Sequence, residues 1–270
     1  MIRVPAKIDV MEFIVLGSGT SIPHPLRSSS GYWLRTDKAN VLLDCSASTV
    51  TRIIQEGLDW AGLDAIWISH FHLDHCGGLA PFLAGIKHSS KMKARKKRMR
   101  IFGPSGLRSL IQKFDVVNNY KLLEQPFKLE IVEIEQLEEF EIAPGLTGVA
   151  LNTPHTVESH AIHIRDKSDA SMVYTADTGF SETIDAFARK VGLLVIEASF
   201  PKDKPAEKHL ELAETMFIIR RAEPKIAILT HLYPEWDEFD IESELAKYPC
   251  KSEVVLAYDG LRAVIPAESS

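Results

Sequence analysis

Cysteine is nearly absent from the chain. Three residues, Cys45, Cys76 and Cys250, are scattered through 270 positions without a CxxC pair, which excludes both a disulfide framework and a structural zinc ribbon. Long apolar runs are also missing, since nothing approaches the roughly 18 to 20 uncharged residues that a membrane-spanning helix requires. The opening MIRVPAKIDV lacks the apolar core and cleavage site of a secretory signal, so the expected location is cytoplasmic, with no membrane partner. Glycine and proline, at 15 and 14 residues, are too few for a collagenous or low-complexity chain. What is present is ordinary globular composition. With 45% hydrophobic and 25% charged residues over 270 positions, the chain can bury a real core, and one domain spanning residues 1–270 is expected.

The net charge of −6 hides a local asymmetry. Lys87, Lys91, Lys93, Arg95, Lys96, Lys97, Arg98 and Arg100 put eight cations into fourteen positions without an acid, so the remainder of the chain carries −14. An acidic region follows from Glu124 to Glu141. Such polarity either marks an anionic partner met on one face or belongs to a solvated loop beside an acidic strand edge.

Short apolar runs rich in branched residues alternate with helical patterns throughout, and no segment reads as a linker. Strands are expected at Glu12–Leu16, Tyr32–Thr36, Val41–Asp44 and Ala65–Ser69, then at Arg100–Phe102, Phe127–Ile134, Phe140–Ile142 and Leu146–Leu151. The second half adds Ala161–Arg165, Met172–Thr175, Leu193–Glu197, Ile226–Thr230, Glu253–Ala257 and Arg262–Ile265. Helices are expected after Ser46, Gly78 and Pro104, and over Glu182–Lys190, Glu207–Ala222 and Ile241–Tyr248. Both halves run from β-rich to mixed α/β. The pattern implies an α/β protein with two sheets face to face and helices outside, a four-layer αββα sandwich.

The sharpest chemical feature is HFHLDH, which places His70, His72, Asp74 and His75 directly after the apolar run Ala65–Ser69. Three imidazoles and a carboxylate within six residues make a metal-ligand set; the plain alternative is a polar turn with unrelated histidines. Neutral imidazole and carboxylate suit zinc, and also manganese or iron. Three more groups stand at the ends of apolar runs: His155 in NTPHT, Asp177 in YTADTG and His231 in LTHLYP. Singly, each reads as a surface or hydrogen-bonded residue. Together they supply what two adjacent divalent ions require. Two ions about 3.5 to 4 Å apart share a hydroxide at neutral pH and stabilise in-line attack on phosphorus.

In these motifs the chain resembles the metallo-β-lactamase fold hydrolases and, among them, the ribonuclease Z-like phosphodiesterases. The resemblance runs through LGSGTSIPHPLRSSSGYWL, LLDCSASTV, HFHLDHCGGL, IFGPSGL, PHT, YTADTG, EASF, KHLELAE and LTHLYP, nearly the whole chain. It implies His70, His72 and His155 on one zinc, Asp74, His75 and His231 on the other, and Asp177 bridging both. It also implies that His209 in KHLELAE is a catalytic histidine, with Glu197 in EASF orienting its ring. Asp74 is then the expected general base and His209 the expected acid, because a departing alkoxide needs a proton and a histidine beside a carboxylate keeps one near pH 7. The bland reading of His209 is an exposed residue near the start of a helix.

Gly17-Ser18-Gly19-Thr20 opens a loop in which small residues permit close backbone approach to an anion. Its place in the family's first motif makes Ser18, Thr20 and Arg27 expected substrate contacts, while His24 is read as a loop residue. Cys45 and Cys76 are read as packing residues, since no base stands near them in the sequence.

One departure bears on substrate. Many ribonuclease Z proteins carry a projecting RNA-gripping arm between the positions matched by His155 and Asp177, whereas here 21 residues separate them and read as a simple strand pair. Either the substrate is smaller, or RNA is gripped elsewhere, for which Lys93, Arg95, Lys96 and Lys97 are the available side chains. The function expected is a metal-dependent phosphodiester hydrolase resembling ribonuclease Z, with RNA among its candidate substrates. The alternatives are a hydrolase of small or cyclic phosphodiesters, a thioester, lactone or sulfate ester hydrolase of the same fold, and a non-catalytic nucleic-acid-binding protein on a degenerate scaffold. The resemblance also suggests a homodimer.

Overall fold

A computed structural model describes residues 10–266. Of the opening segment read above as no secretory signal, residues 1–9 lie outside the described residues. Among the described residues, fourteen strands form where the apolar runs lie. They are β1 (Met11–Gly17), β2 (Gly31–Arg35), β3 (Asn40–Leu43), β4 (Ala65–Trp67), β5 (Met99–Gly103), β6 (Leu129–Glu133), β7 (Glu139–Ala143), β8 (Leu146–Asn152), β9 (His160–Asp166), β10 (Ser171–Tyr174), β11 (Leu193–Glu197), β12 (Ile226–Thr230), β13 (Glu253–Leu256) and β14 (Arg262–Ile265). Two seven-stranded sheets result, ordered β14-β1-β2-β3-β4-β5-β6 and β13-β12-β11-β10-β9-β8-β7.

The strands read as continuous apolar runs because both faces are covered. In β1, Phe13 and Val15 face the opposing sheet while Ile14 and Leu16 face helices. In β11, Leu193 and Val195 point inward, and Leu194 and Ile196 pack under the outer helices. Each such side chain contributes about 1.5–3 kcal/mol on burial, so the outer faces need their helices as much as the inner faces need each other. The observed layers are α, β, β and α. No helix among the described residues is long and apolar enough to cross a membrane.

Strand direction places the site. β3 to β6 run parallel in the first sheet, and β10 to β13 run parallel in the second. Their carboxyl ends are where loops can gather groups into a crevice. Every ligand candidate named above follows the end of a strand: His70 to His75 after β4, His155 after β8, Asp177 after β10 and His231 after β12.

The basic stretch occupies the opposite end, so Lys93, Arg95, Lys96 and Lys97, the side chains read above as available to grip RNA, do not border the cleft. These residues precede β5, and β5 is parallel to β4, with Ala65 beside Arg100 and Trp67 beside Phe102. Lys97 pairs with Asp64, just before β4. At about 3.3 Å per residue along a strand, that lies roughly 20 Å from His70. Much of the charge is also spent inside the fold. Arg95 donates to the carbonyls of Ala61, Leu63, Lys97 and Arg98 at 2.6–2.8 Å, while Arg98 lies 3.7 Å from Glu130 and Arg100 3.7 Å from Glu141. The acidic region following it is thus partly its partner. Lys91, Lys93 and Lys96 extend into solvent. Substituting Ser for Lys93, Arg95, Lys96 and Lys97 together should leave phosphodiester turnover and the salt dependence of any RNA binding unchanged. Unfolding free energy should fall by about 1–3 kcal/mol because Arg95 leaves carbonyls unpaired; denaturant titration and filter binding would show both.

Helices follow the expected pattern with one informative difference. Two short ones, Leu73–Cys76 and Ser90–Ala94, were not expected. The helix expected over 207–222 begins only at Leu212, because Glu211 and Glu214 form a reciprocal capping box that fixes the start. Upstream, Leu210 and Leu212 bond to Phe200 as a short parallel bridge. His209 therefore sits in a tethered loop just before the helix and is largely buried, not exposed.

Candidate metal centre

The turn carrying HFHLDH is locked to the neighbouring strand. Cys45 N donates to His75 O at 2.6 Å and Gly78 N to Cys45 O at 2.8 Å. A side chain at Gly78 would put its Cβ 2.1 Å from Ser46 O, so only glycine permits this approach. His72 is extended (φ −65°, ψ 144°) and precedes the single helical turn Leu73–Cys76. Elsewhere the chain accepts strain to turn inward: Asp44 (φ 56°), Ala176 (φ 52°) and His231 (φ 56°) adopt left-handed backbone, each costing about 1–3 kcal/mol. All three lie at or beside the cluster.

These turns bring seven side chains from both sheets together. His70, His72, His155 and Asp177 form one group of mutually close ligand atoms, and Asp74, His75 and His231 a second. Asp177 lies between these two, and with His231 it also comes close to His209. Its Oδ2 is 3.8 Å from His70 Nε2, 3.6 Å from His155 Nε2 and 3.3 Å from His231 Nε2, and its Oδ1 is 3.2 Å from His75 Nε2. Asp74 Oδ2 lies 3.5 Å from His231 Nε2 and 3.8 Å from His75 Nε2. Four of these atoms, Nε2 of His70, His75 and His231 and Oδ1 of Asp177, are buried without a hydrogen-bond partner. Buried polar atoms ordinarily have partners. An unpartnered set of imidazole and carboxylate atoms aimed at one volume fits divalent cations.

The outward nitrogens are fixed from behind. His75 Nδ1 donates to Asp44 Oδ2 at 2.7 Å, and Tyr174 Oη donates to the same oxygen at 2.7 Å. Ser69 Oγ lies 2.8 Å from Asp44 Oδ2 and 3.0 Å from His70 Nδ1. His155 Nδ1 donates to Lys208 O at 2.9 Å. Such partners set tautomer and ring orientation. Sequence reading assigned no part to Asp44, Ser69, Tyr174 or Ser199; an acid ending the apolar run VLLD was the available signal.

The charges are consistent with a cation site. Burial raises the Asp74 carboxyl, but its hydrogen bond to His231 and the nearby His75 outweigh that and hold it down to about 2. Burial and neighbouring His75 push His70 well below the ordinary histidine value, leaving it neutral. His75 is the reverse: burial lowers it, but Asp177 and Asp44 together raise it well above that value. Burial pushes the Cys76 thiol up to about 12 and raises Cys45 as well. Both are fully buried, in keeping with packing and not nucleophilic roles.

His209 stands at the edge of this cluster. Its ring stacks on His231 with centroids 5.3 Å apart and lies 4.8 Å from the His155 ring. Its Nδ1 donates to both Glu197 oxygens at 3.2 Å. Burial lowers the ring's pKa, but the hydrogen bond and charge of Glu197 more than offset it and raise it above the ordinary value. Lys204 Nζ holds the His209 carbonyl at 3.1 Å. The loop residues have partners within the protein. Ser18 is buried, with its hydroxyl 2.9 Å from Asp259 Oδ1, and Thr20 is buried, accepting Ile22 N. Arg27 donates to Asp237 Oδ1 at 2.7 Å, with His24 bonded to the same carboxylate. All three expected substrate contacts are thus engaged in holding their own loop.

A model of the β-lactamase superfamily domain matches residues 39–232, well over half of the chain. The chain belongs to the β-lactamase superfamily. It is similar to ribonuclease Z of Thermoplasma acidophilum, 32% identical over 157 residues, which cover 58% of this chain and 49% of that protein. It therefore spans about half the length of that relative. It is also similar to the probable metallo-hydrolase YhfI of Bacillus subtilis, 25% identical over 253 residues, 93% of this chain and 98% of that one. Among solved structures, the metallo-β-lactamase fold protein YhfI from Bacillus subtilis superposes with a TM-score of 0.77 at 24% identity, over 95% of this chain and 99% of that chain. The short form of human tRNase Z gives 0.74 at 22% identity, over 94% and 99%. These structural likenesses establish the metallo-β-lactamase αββα fold.

Proposed function

We propose that the protein is a metal-dependent phosphodiester hydrolase of the ribonuclease Z-like kind, acting on a small phosphodiester. The observation that carries this reading is the Glu197–His209 pair against the seven-residue cluster. A cation cluster alone serves many electrophiles, but a protonated imidazole beside it serves a leaving group that must depart with a proton.

His70, His72 and His155 would hold one divalent ion, Asp74, His75 and His231 a second, and Asp177 both; zinc suits this donor set, and manganese or iron also fit. Bound there, the pair supplies Lewis acidity to the phosphoryl group and readies a water for attack. Asp74, the ionised and less enclosed carboxylate of the two, accepts the water's proton. His209 Nε2 gives a proton to the departing alkoxide while Glu197 holds Nδ1. Asp44 and Tyr174 keep His75 oriented through the cycle.

Two features favour a small substrate. β9 and β10 join as a plain hairpin with no arm between His155 and Asp177. The cationic stretch faces away from the cleft. Identity to a ribonuclease Z favours RNA as the second reading. Product analysis with zinc-loaded protein on precursor transfer RNA, cyclic and linear dinucleotides, a thioester, a lactone and a sulfate ester separates these. Cleavage confined to the small phosphodiesters is expected; efficient cutting of the RNA would move the assignment to an endoribonuclease, and cleavage of only the others would overturn it.

A further inference from the structure

Ser199 has no part in these steps, although it stands between the metal cluster and the acid. Its hydroxyl is fully buried, 2.5 Å from Glu197 Oε2 and 3.0 Å from His231 Nδ1. A serine has one proton to give. Glu197 already accepts from Thr178 N at 2.5 Å, Leu210 N at 3.0 Å and His209 Nδ1 at 3.2 Å, so it has only acceptor capacity left. The Ser199 proton therefore goes to Glu197. Only lone pairs then remain for His231, whose Nδ1 must carry the hydrogen. This fixes the tautomer and leaves a lone pair on His231 Nε2, the buried atom that faces Asp74 and Asp177 without a hydrogen-bond partner.

The first sheet builds the same unit behind another ligand. Ser69 Oγ donates to Asp44 Oδ2 at 2.8 Å and accepts from His70 Nδ1 at 3.0 Å. Each half of the chain thus places a hydroxyl between a cluster histidine and a buried carboxylate, at the carboxyl end of its parallel strands. In the second half alone, that carboxylate also holds the acid.

We propose that Ser199 is a positioning residue that couples the ion held by His231 to the Glu197–His209 pair, through the chain His231 Nδ1–H to Ser199 Oγ–H to Glu197, which also accepts from His209 Nδ1–H. The affinity of one metal position and the setting of the acid then depend on one shared carboxylate. The inference rests on the reading of His231 as a metal ligand. Partners behind a ligand histidine typically change metal affinity 10–100-fold when removed, and the coupling has a distinctive signature. In Glu197→Gln an N–H replaces one acceptor, which disfavours the Ser199 orientation that fixes His231; without the hydroxyl there is nothing left to reverse.

The test is zinc titration of the full chain against a chelating indicator, which counts ions and gives both affinities. Ser199→Ala should weaken one ion, the one held by His231, on the order of 10-fold and leave the other's affinity unchanged. Ser199→Thr and Ser199→Val have the same shape, so any effect of bulk is common to both; Thr should hold the His231 ion far better than Val. Glu197→Gln should weaken it in the wild-type background but add little to Ser199→Ala, a non-additive cycle. Unchanged affinity in both the Ala and Val variants, or full additivity with Glu197→Gln, overturns the role of Ser199 alone. Uptake of fewer than two ions by the unaltered protein overturns the metal reading, and this inference with it.

Discussion

Asp177→Ala is expected to empty both metal positions together and to lower phosphodiester turnover by at least roughly 10³-fold, because the several kcal/mol of charge stabilisation that two ions supply translates at about 1.4 kcal/mol per tenfold. Its carboxylate is the one within 3.2–3.8 Å of histidines from both groups. His231→Ala provides the contrast. Its Nε2 faces Asp74 and Asp177 and the ring belongs to the Asp74–His75 group, so its loss should chiefly empty the position shared with Asp74 and His75. Elemental analysis of the two variants beside the wild type reads the difference directly. Equal loss of metal from both would remove Asp177 from its bridging place.

His209→Ala is expected to keep its metals and lose on the order of 10²- to 10⁴-fold in rate on phosphodiesters with alkyl or ribose leaving groups. A p-nitrophenyl leaving group is a weak base and departs with little help, so the defect there should nearly vanish. The geometry makes this prediction specific, since the Nδ1 of the ring is taken up by Glu197. A defect of the same size on both leaving groups would show that His209 orders the site and does not deliver a proton.

The fold and the clustering of the seven side chains were legible in the sequence for the same reason. Strands covered on both faces, such as β11 with Leu193 to Ile196, appear as unbroken apolar runs, and a histidine or aspartate ending such a run stands out against it. Direction did not show. Apolar runs do not say whether neighbours lie parallel, and the parallel pairing of β4 with β5 is what sends Lys93 to Lys97 to the far end of the sheet. The helix expected from Glu207 also depended on a signal too weak to weigh, the Glu211 and Glu214 capping box against a helical pattern continuing upstream. The supporting residues were hidden for a different reason. Asp44, Ser69 and Ser199 are residue types that close turns everywhere, and their roles come from partners 31, 25 and 32 positions distant, respectively His75, Asp44 and His231. The partners of the loop residues were hidden on the same ground, since Ser18 is engaged by Asp259, 241 residues away.

The central claim is that two divalent ions and the histidines around them hydrolyse a phosphodiester. It is tested most directly by adding zinc stepwise to metal-free protein and following bound equivalents and turnover of bis(p-nitrophenyl) phosphate in the same samples. Saturation at two equivalents per chain is expected, with turnover rising as the second is taken up and abolished by Asp177→Ala. Saturation at one equivalent or none, or two bound ions without turnover of this or any small phosphodiester, would contradict it.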